Sequence, residues 1–223
     1  KLMEQYITLR PSEYMWFYKV WKFSNEENIA ILSDGKTGHL RQSQNVGAAV
    51  EKALKGRDIV SKTQIINVPF KNKLARNVLN VIALVCPPVL YRGRLEFLKW
   101  FLKEECFKEI SSLRANYIIS TGSSVAGLNH LIARDGYAKS LVAMKPGFLP
   151  LNRFDFVFLP KHDWPEGKKA ERPVILTNAA PNLINPEYLK EQSELLLSHF
   201  SHLKGKVRTK IGILIGGDSK HVF

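Results

Sequence analysis

The sequence ILSDGKTGHLRQSQNVGAA, residues 31–49, indicates an α/β fold. The apolar run NIAILS, residues 28–33, overlaps the start of this stretch and stops at an Asp-Gly pair. Such a run is typical of a buried strand. Apolar residues then recur at helical spacing in QSQNVGAAVEKAL, residues 42–54. A strand, a glycine-containing loop and a helix in this order form the first part of a βαβ unit.

The same alternation continues along the chain. Apolar runs predict further strands at residues 63–68, 116–121, 140–145, 155–160, 173–178 and 210–217. Helices are predicted at residues 71–113, with a break at Pro87-Pro88, at 123–134, and at 185–203, with Asn185 as the N-cap. We therefore predict an α/β fold with a doubly wound, mostly parallel, Rossmann-like sheet.

Composition limits the function classes. The chain has 223 residues, of which 45% are hydrophobic and 24% charged, so it can fold around a sizeable core. A net charge of +13 favours anionic partners such as phosphates, nucleic acid or an acidic membrane. Cys86 and Cys106 have no metal-ligand spacing, and no metal site is expected. The longest apolar run, residues 78–91, is too short to span a bilayer.

Ligands of doubly wound sheets bind beyond the carboxyl ends of the strands. Six short loops follow predicted strands: SDGKTGH, STGSSVAG, KPG, PKHD, TNAAPN and GGDSKH. We therefore expect these loops to gather along one rim of the sheet. The dinucleotide-binding pattern GxGxxG and the Walker A pattern are both absent.

The loop SDGKTGH has the residues for anion binding and proton transfer. Glycines allow a ligand to approach the backbone, a lysine and the following helix terminus favour an anion, and a histidine exchanges protons near neutral pH. The alternative is a simple strand-to-helix turn with a capping aspartate. The candidate binding residues here are Ser33, Gly35, Lys36, Gly38, Gln42 and Ser43, and the candidate catalytic residues are Asp34 and His39.

The other loops supply further candidates. Hydroxyls and helix-terminal amides follow the strand at 116–121, although an ordinary N-cap explains them equally well. The adjacent His162 and Asp163 can relay protons only if their side chains converge. The remaining histidines on helical patterns, His130, His199 and His202, are interpreted as surface or structural residues. The substrate- or phosphate-binding candidates are Thr121, Gly122, Ser123, His162, Asp163, Asn178, Gly216, Gly217, Ser219, Lys220 and His221.

Residues 71–114 mix basic and apolar side chains. This composition fits a surface that lies on anionic lipid, but also two core-packed amphipathic helices with a solvated basic face. No recognised RNA-binding motif is present, so nucleic acid is not an expected partner. The candidate membrane-facing residues are Arg76, Leu79, Ile82, Leu90, Arg92, Arg94 and Trp100.

Four motifs in order resemble the mitochondrial-fission "elongated mitochondria" protein family over residues 29–223. They are SDGKTGHLRQS (33–43), FDFVFLPKHD (154–163), TNAAPNLINPE (177–187) and IGGDSKH (215–221). The resemblance implies a GT-B-like architecture of two Rossmann-like domains, distantly similar to the glycosyltransferase that adds N-acetylglucosamine to the lipid-linked peptidoglycan precursor. Plant members of the family are associated with recruiting a dynamin-related GTPase.

The motifs and the resemblance together give two hypotheses. The first is a metal-independent, GT-B-like glycosyltransferase, peripheral on the cytoplasmic face of a membrane, that uses a nucleotide sugar, a lipid-linked or envelope acceptor and no cofactor. The second is a non-enzymatic membrane-surface adaptor of the mitochondrial-fission family that recruits a dynamin-like GTPase or another partner. We predict an aromatic segment at 1–28, the N-terminal, acceptor-side domain at 29–205 and the start of a nucleotide-binding domain at 206–223.

Overall fold

The structure is a computed structural model and describes residues 2–9 and 25–205. Strands and helices alternate along most of this length, as the apolar runs predict. The strands are β1 Glu26–Ser33, β2 Val60–Asn67, β3 Tyr117–Thr121, β4 Lys139–Ala143, β5 Phe156–Pro160 and β6 Val174–Thr177. The helices are α1 Leu2–Leu9, α2 Thr37–Lys55, α3 Lys73–Val85, α4 Pro88–Tyr91, α5 Glu104–Ser111, α6 Ala126–Asp135 and α7 Pro186–His199.

The six strands form one sheet in the order β2-β1-β3-β4-β5-β6, and every pairing is parallel. Strand β1 lies between β2 and β3, with Ile31 opposite both Ile65 and Ile119. The chain first adds a strand on one side of β1 and then builds outward on the other side. The predicted α/β fold with a Rossmann-like parallel sheet is thus confirmed.

Both faces of the sheet are covered, which makes the sheet doubly wound. Along β1, Ile29 and Ile31 point to a core shared with Val46 of α2, while Ala30 and Leu32 point to a second core with Leu79 of α3. Side chains alternate between faces along a strand, so the unbroken apolar run in β1 is what a strand buried on both sides requires.

The predicted helical region 71–113 is shorter and more broken than expected. Helix α3 ends at Val85, just before the prolines, and a 3₁₀ segment at Leu95–Trp100 separates α4 from α5. Further along, the Asn185 side chain accepts a hydrogen bond of 2.7 Å from Tyr188 N at the start of α7, which confirms the predicted N-cap.

The chain divides into two compact units, Lys1–Leu183 and Ile184–Phe223. The sheet and every site described below belong to the first unit. The predicted strand at 210–217, the GGDSKH loop and most of the aromatic segment at 1–28 lie outside the described residues. The proposed domain boundary at 205–206 stays a prediction.

Candidate functional site

The candidate site lies where the strand order reverses, at the carboxyl ends of β1 and β3. Loops that leave neighbouring strands in opposite directions open a crevice at such a point. The β1–α2 loop supplies Asp34, and His39 follows in the first turn of α2. Thr121 is the last residue of β3, and Gly122 and Ser123 follow it in the β3–α6 loop.

Asp34 and His39 form a hydrogen-bonded pair. Asp34 Oδ2 lies 2.9 Å from His39 Nδ1, and the side chain of Asp34 is 6% exposed while that of His39 is 31% exposed. The turn between them is fixed locally, since Gly35 has φ +83° and its N–H donates to Ser33 Oγ. The Lys36 N–H in turn donates to Asp34 Oδ1. A carboxylate that accepts from Nδ1–H leaves the Nε2 lone pair free to take a proton.

The imidazole of His39 lies against Gly122 of the neighbouring loop. A Cβ on Gly122 would lie 3.2 Å from His39 Cε1 and 3.6 Å from Nε2, and the glycine itself has φ +72°. One helical turn after His39, Ser43 is buried and its Oγ is hydrogen-bonded at 2.7 Å to Oγ1 of the buried Thr121. These contacts join two regions of the chain, which at Ser43 and Thr121 are 78 residues apart in sequence, into one wall of the candidate site.

The next two loops along the sheet continue the same rim. A Cβ on Gly147, after β4, would lie 2.8 Å from Ser123 Cβ, so these loops also touch. Gly147 shares a cavity of about 570 Å³ with His162 and Asp163, which follow β5. His162 Nε2 and Asp163 Oδ1 are 4.0 Å apart, which is too long for the hydrogen bond that a proton relay requires.

The remaining predicted binding residues are less closely grouped. Gln42 points its amide oxygen into a buried position with no hydrogen-bond partner among the described residues. Asn178 is exposed after β6, the strand at the sheet edge away from β1. The GGDSKH candidates, Gly216, Gly217, Ser219, Lys220 and His221, lie outside the described residues.

Asn80 of α3 is a positioning residue that the sequence reasoning did not assign. It is buried, its Oδ1 accepts from Gly127 N at 3.1 Å, and its Nδ2 donates to Ser123 O at 3.3 Å. The Asn80 side-chain amide thus holds the turn from Ser123 to Gly127 at both ends. Gly122 directly precedes this turn. The available signal was a single asparagine in an otherwise apolar helical run.

A second cavity opens beside Asp34, between the β1–α2 loop and the start of α3. It measures about 340 Å³, and its lining includes Asp34, Lys36, Lys73, Arg76 and Ser124. We call it the α3 cavity. The lining contains three cationic side chains and one carboxylate, which sum to a formal charge of +2. The cavity therefore favours the binding of an anion.

Helix α3 has one face in the core and one in solvent, and this corrects one predicted membrane-facing residue. Leu79 is fully buried, because it packs with Ala83 in the core shared with α6. Ile82 and Arg76 are half-buried, whereas Leu90, Arg92, Arg94 and Trp100 are exposed as a membrane-facing role requires. Exposed apolar residues of α3 instead form what we call the outer stripe: Leu74, Val78, Val81 and Val85.

His130 is a structural histidine, in agreement with its interpretation from sequence. It is 1% exposed, and its Nδ1 lies 3.0 Å from Arg153 O, the geometry of an N–H donor to a carbonyl. Burial lowers the pKa of His130 to about 4. It therefore stays neutral across physiological pH and takes no part in the candidate site.

Two kinds of feature are absent from the described residues, 2–9 and 25–205. No group of three or more His, Cys, Asp or Glu side chains is arranged to hold a metal ion. No helix combines the length and the apolar composition that crossing a bilayer requires.

These features define an α/β protein with a Rossmann-like parallel sheet and a hydrogen-bonded Asp-His pair at its switch point. The profile of the family described as "Mitochondrial fission ELM1" matches residues 37–223, and the chain belongs to that family. This confirms the resemblance carried by the four sequence motifs. No curated protein matches the chain.

Proposed function

We propose that the chain is the acceptor-side part of a metal-independent, GT-B-like glycosyltransferase that works on the cytoplasmic face of a membrane. The sugar would pass from a nucleotide sugar to a lipid-linked or envelope acceptor. The observation that carries this proposal is the Asp34–His39 pair, which lies over Gly122 at the carboxyl ends of β1 and β3.

In this mechanism His39 is the general base. Its Nδ1–H donates to Asp34, which fixes the tautomer, and Nε2 accepts the proton of the acceptor hydroxyl. The acceptor oxygen then bonds to the anomeric carbon as the bond from that carbon to the nucleotide diphosphate breaks. The diphosphate leaves as the anion, and the proton remains on His39.

The donor-binding role falls to the GGDSKH loop. Backbone amides of Gly216 and Gly217 and the side chains of Ser219, Lys220 and His221 have the chemistry to hold a diphosphate. The donor is a substrate, and the mechanism needs no further cofactor.

The test is sugar transfer by the full-length protein with radiolabelled UDP- and GDP-sugars and a membrane lipid extract as the acceptor. His39→Ala should lower the transfer rate about 10²- to 10⁴-fold, because the base is removed, while donor affinity stays unchanged. His202→Ala, an exposed histidine in the second unit, is the matched control. Full transfer by His39→Ala, or no binding of any nucleotide sugar, contradicts the proposal.

The second candidate is a non-enzymatic adaptor that lies on a membrane and recruits a dynamin-like GTPase. The observation that favours it is the outer stripe, four apolar side chains left in solvent beside basic residues. An adaptor should keep partner recruitment in His39→Ala and lose it when Val78 and Val81 are replaced by aspartate. The enzyme hypothesis predicts instead that His39→Ala loses about 10²- to 10⁴-fold in sugar transfer.

A further inference from the structure

The α3 cavity has cations that are available to a ligand. Among the described residues, Lys73 Nζ has no ion-pair or hydrogen-bond partner, and Lys36 Nζ lies 3.8 Å from Asp34 Oδ2 with 64% of its side chain exposed. Within residues 2–9 and 25–205, the hydrogen bonds of the Arg76 side chain are two long contacts of 3.4 Å, both to the Asn77 side chain beside it. An anion that enters the cavity would gain these charges without first breaking a strong ion pair.

The charge of the lining matches a phosphate group. Asp34 already accepts hydrogen bonds from His39 and from Lys36 N, which leaves the three cations in excess. A phosphate ester carries about −1.5 to −2 charges at neutral pH, close to the formal +2 of the lining. Ser124 also lines the cavity, and its hydroxyl can act as a neutral donor.

The outer stripe begins at the same end of the same helix. Leu74 follows Lys73 directly, and the stripe continues to Val85, about 17 Å along the helix axis at 1.5 Å per residue. Leu79 and Ala83, on the opposite side of α3, hold the helix against the core. Cations at one end of an exposed apolar stripe complement a lipid, in which an anionic headgroup is bonded to apolar chains.

We propose that the α3 cavity binds the phosphate of a membrane lipid while the outer stripe lies against the acyl or prenyl chains. This inference rests on the proposed function and names the acceptor class for the same site: a lipid with its phosphate at Lys36, Lys73 and Arg76, next to the base His39. Helix α3 then contributes to both phosphate binding and membrane contact, and Lys36 completes the phosphate site.

The test is co-sedimentation of the full-length protein with vesicles of pure phosphatidylcholine and of phosphatidylcholine containing phosphatidic acid. The wild type should prefer the second kind, and the double variant K73A/R76A should bind it roughly 10- to 30-fold more weakly. K52A/K55A removes the same two charges from the far end of α2 and should retain most of the binding. Equal loss in the two double variants would mean nonspecific attraction by net charge and would overturn the proposal.

A second pair of variants tests the stripe. V78S/V81S should weaken vesicle binding, whereas L195S/L196S, at equally exposed leucines of α7, should not. Calorimetry with inorganic pyrophosphate separates a lipid from a free phosphate. If pyrophosphate binds as tightly as vesicles do and V78S/V81S has no effect, the ligand is a soluble phosphate and the lipid assignment is wrong.

Neither measurement requires sugar transfer. Loss of vesicle binding in K73A/R76A supports this inference even if the transfer assay detects no transferase activity. Conversely, transfer without selective vesicle binding leaves the proposed function in place and overturns only the lipid site.

Discussion

At the scale of single residues, the candidate site depends on a glycine as much as on its ionisable groups. Gly122 has a positive φ of +72° and no side chain, and both properties let the β3–α6 loop pass under the His39 ring. The Asp-Gly turn that precedes α2 was recognisable from sequence. The contact between His39 and Gly122 was not recognisable, because these two residues are distant in the sequence.

Gly122→Ala should reduce both stability and transfer. Holding alanine at this φ costs about 1–3 kcal/mol, and the new methyl group pushes against the imidazole. Gly167→Ala is a matched control, since Gly167 has φ +74° and open space around its Cβ position. Thermal unfolding should move similarly in both variants, whereas the transfer rate should fall only in Gly122→Ala. Equal rates in the two variants would show that the ring contact has no functional role.

Asp34→Asn tests whether the carboxylate positions the base. The amide has the same size, but it cannot stabilise the imidazolium that forms when His39 takes the proton. We expect kcat to fall by about tenfold or more. The double variant with His39→Ala should be no slower than His39→Ala alone, because residues that act through one group are not additive. Additive losses would assign Asp34 a separate role.

At the scale of elements, helix α3 shows where sequence reasoning reaches its limit. Its run VLNVIALV is apolar on nearly all sides, so composition identified an amphipathic, lipid-compatible segment but could not fix which face turns inward. Packing against α6 decides this, and it places Leu79 in the core and Val81 in solvent. Strand β1 was easier to predict, since it is short, β-branched and ended by a turn signal.

The two faces of α3 should respond differently to the same change. Leu79→Ala removes a fully buried side chain and should lower the free energy of unfolding by about 2–5 kcal/mol. Val81→Ala, in the outer stripe, should change it by about 0.5 kcal/mol or less. Urea unfolding followed by circular dichroism measures both. A large loss in Val81→Ala would mean that the stripe is covered by another part of the folded chain.

At the scale of the whole molecule, the sheet explains how residues far apart in the sequence meet at the candidate site. Parallel strands place all their following loops on one edge, and the strand order brings the β1 and β3 loops together. The alternation of strands and helices was sufficient to predict the fold class. The strand order and the loop contacts depend on long-range packing, which no local pattern records.

Stability of the folded chain should fall between pH 6.5 and pH 4 because of His130. In the unfolded chain the His130 imidazole takes up a proton near pH 6.5, but in the folded chain burial lowers the pKa of His130 to about 4. The unfolded state therefore binds more protons in this window, and up to about 3 kcal/mol of stability is lost as the pH drops through it. Denaturant unfolding at several pH values measures this slope.

His130→Gln removes the titrating group and is the corresponding variant. Its overall stability is expected to be lower, since the hydrogen bond to Arg153 O is altered, but its pH dependence between 6.5 and 5 should be flatter than that of the wild type. Identical slopes would show that other groups control the acid sensitivity.

The close packing of Gly127 on Asn80 also constrains how this family can diverge. A Cβ at position 127 would collide with the Asn80 side-chain amide and would also lie 3.0 Å from the Asn80 Cα, so alanine there requires both a smaller residue at position 80 and a small shift of the α3 backbone. That smaller residue would in turn release the turn at Ser123. Homologous sequences should therefore change these two positions together, and the pair offers a record of which lineages have kept the loop beside His39 in its present shape.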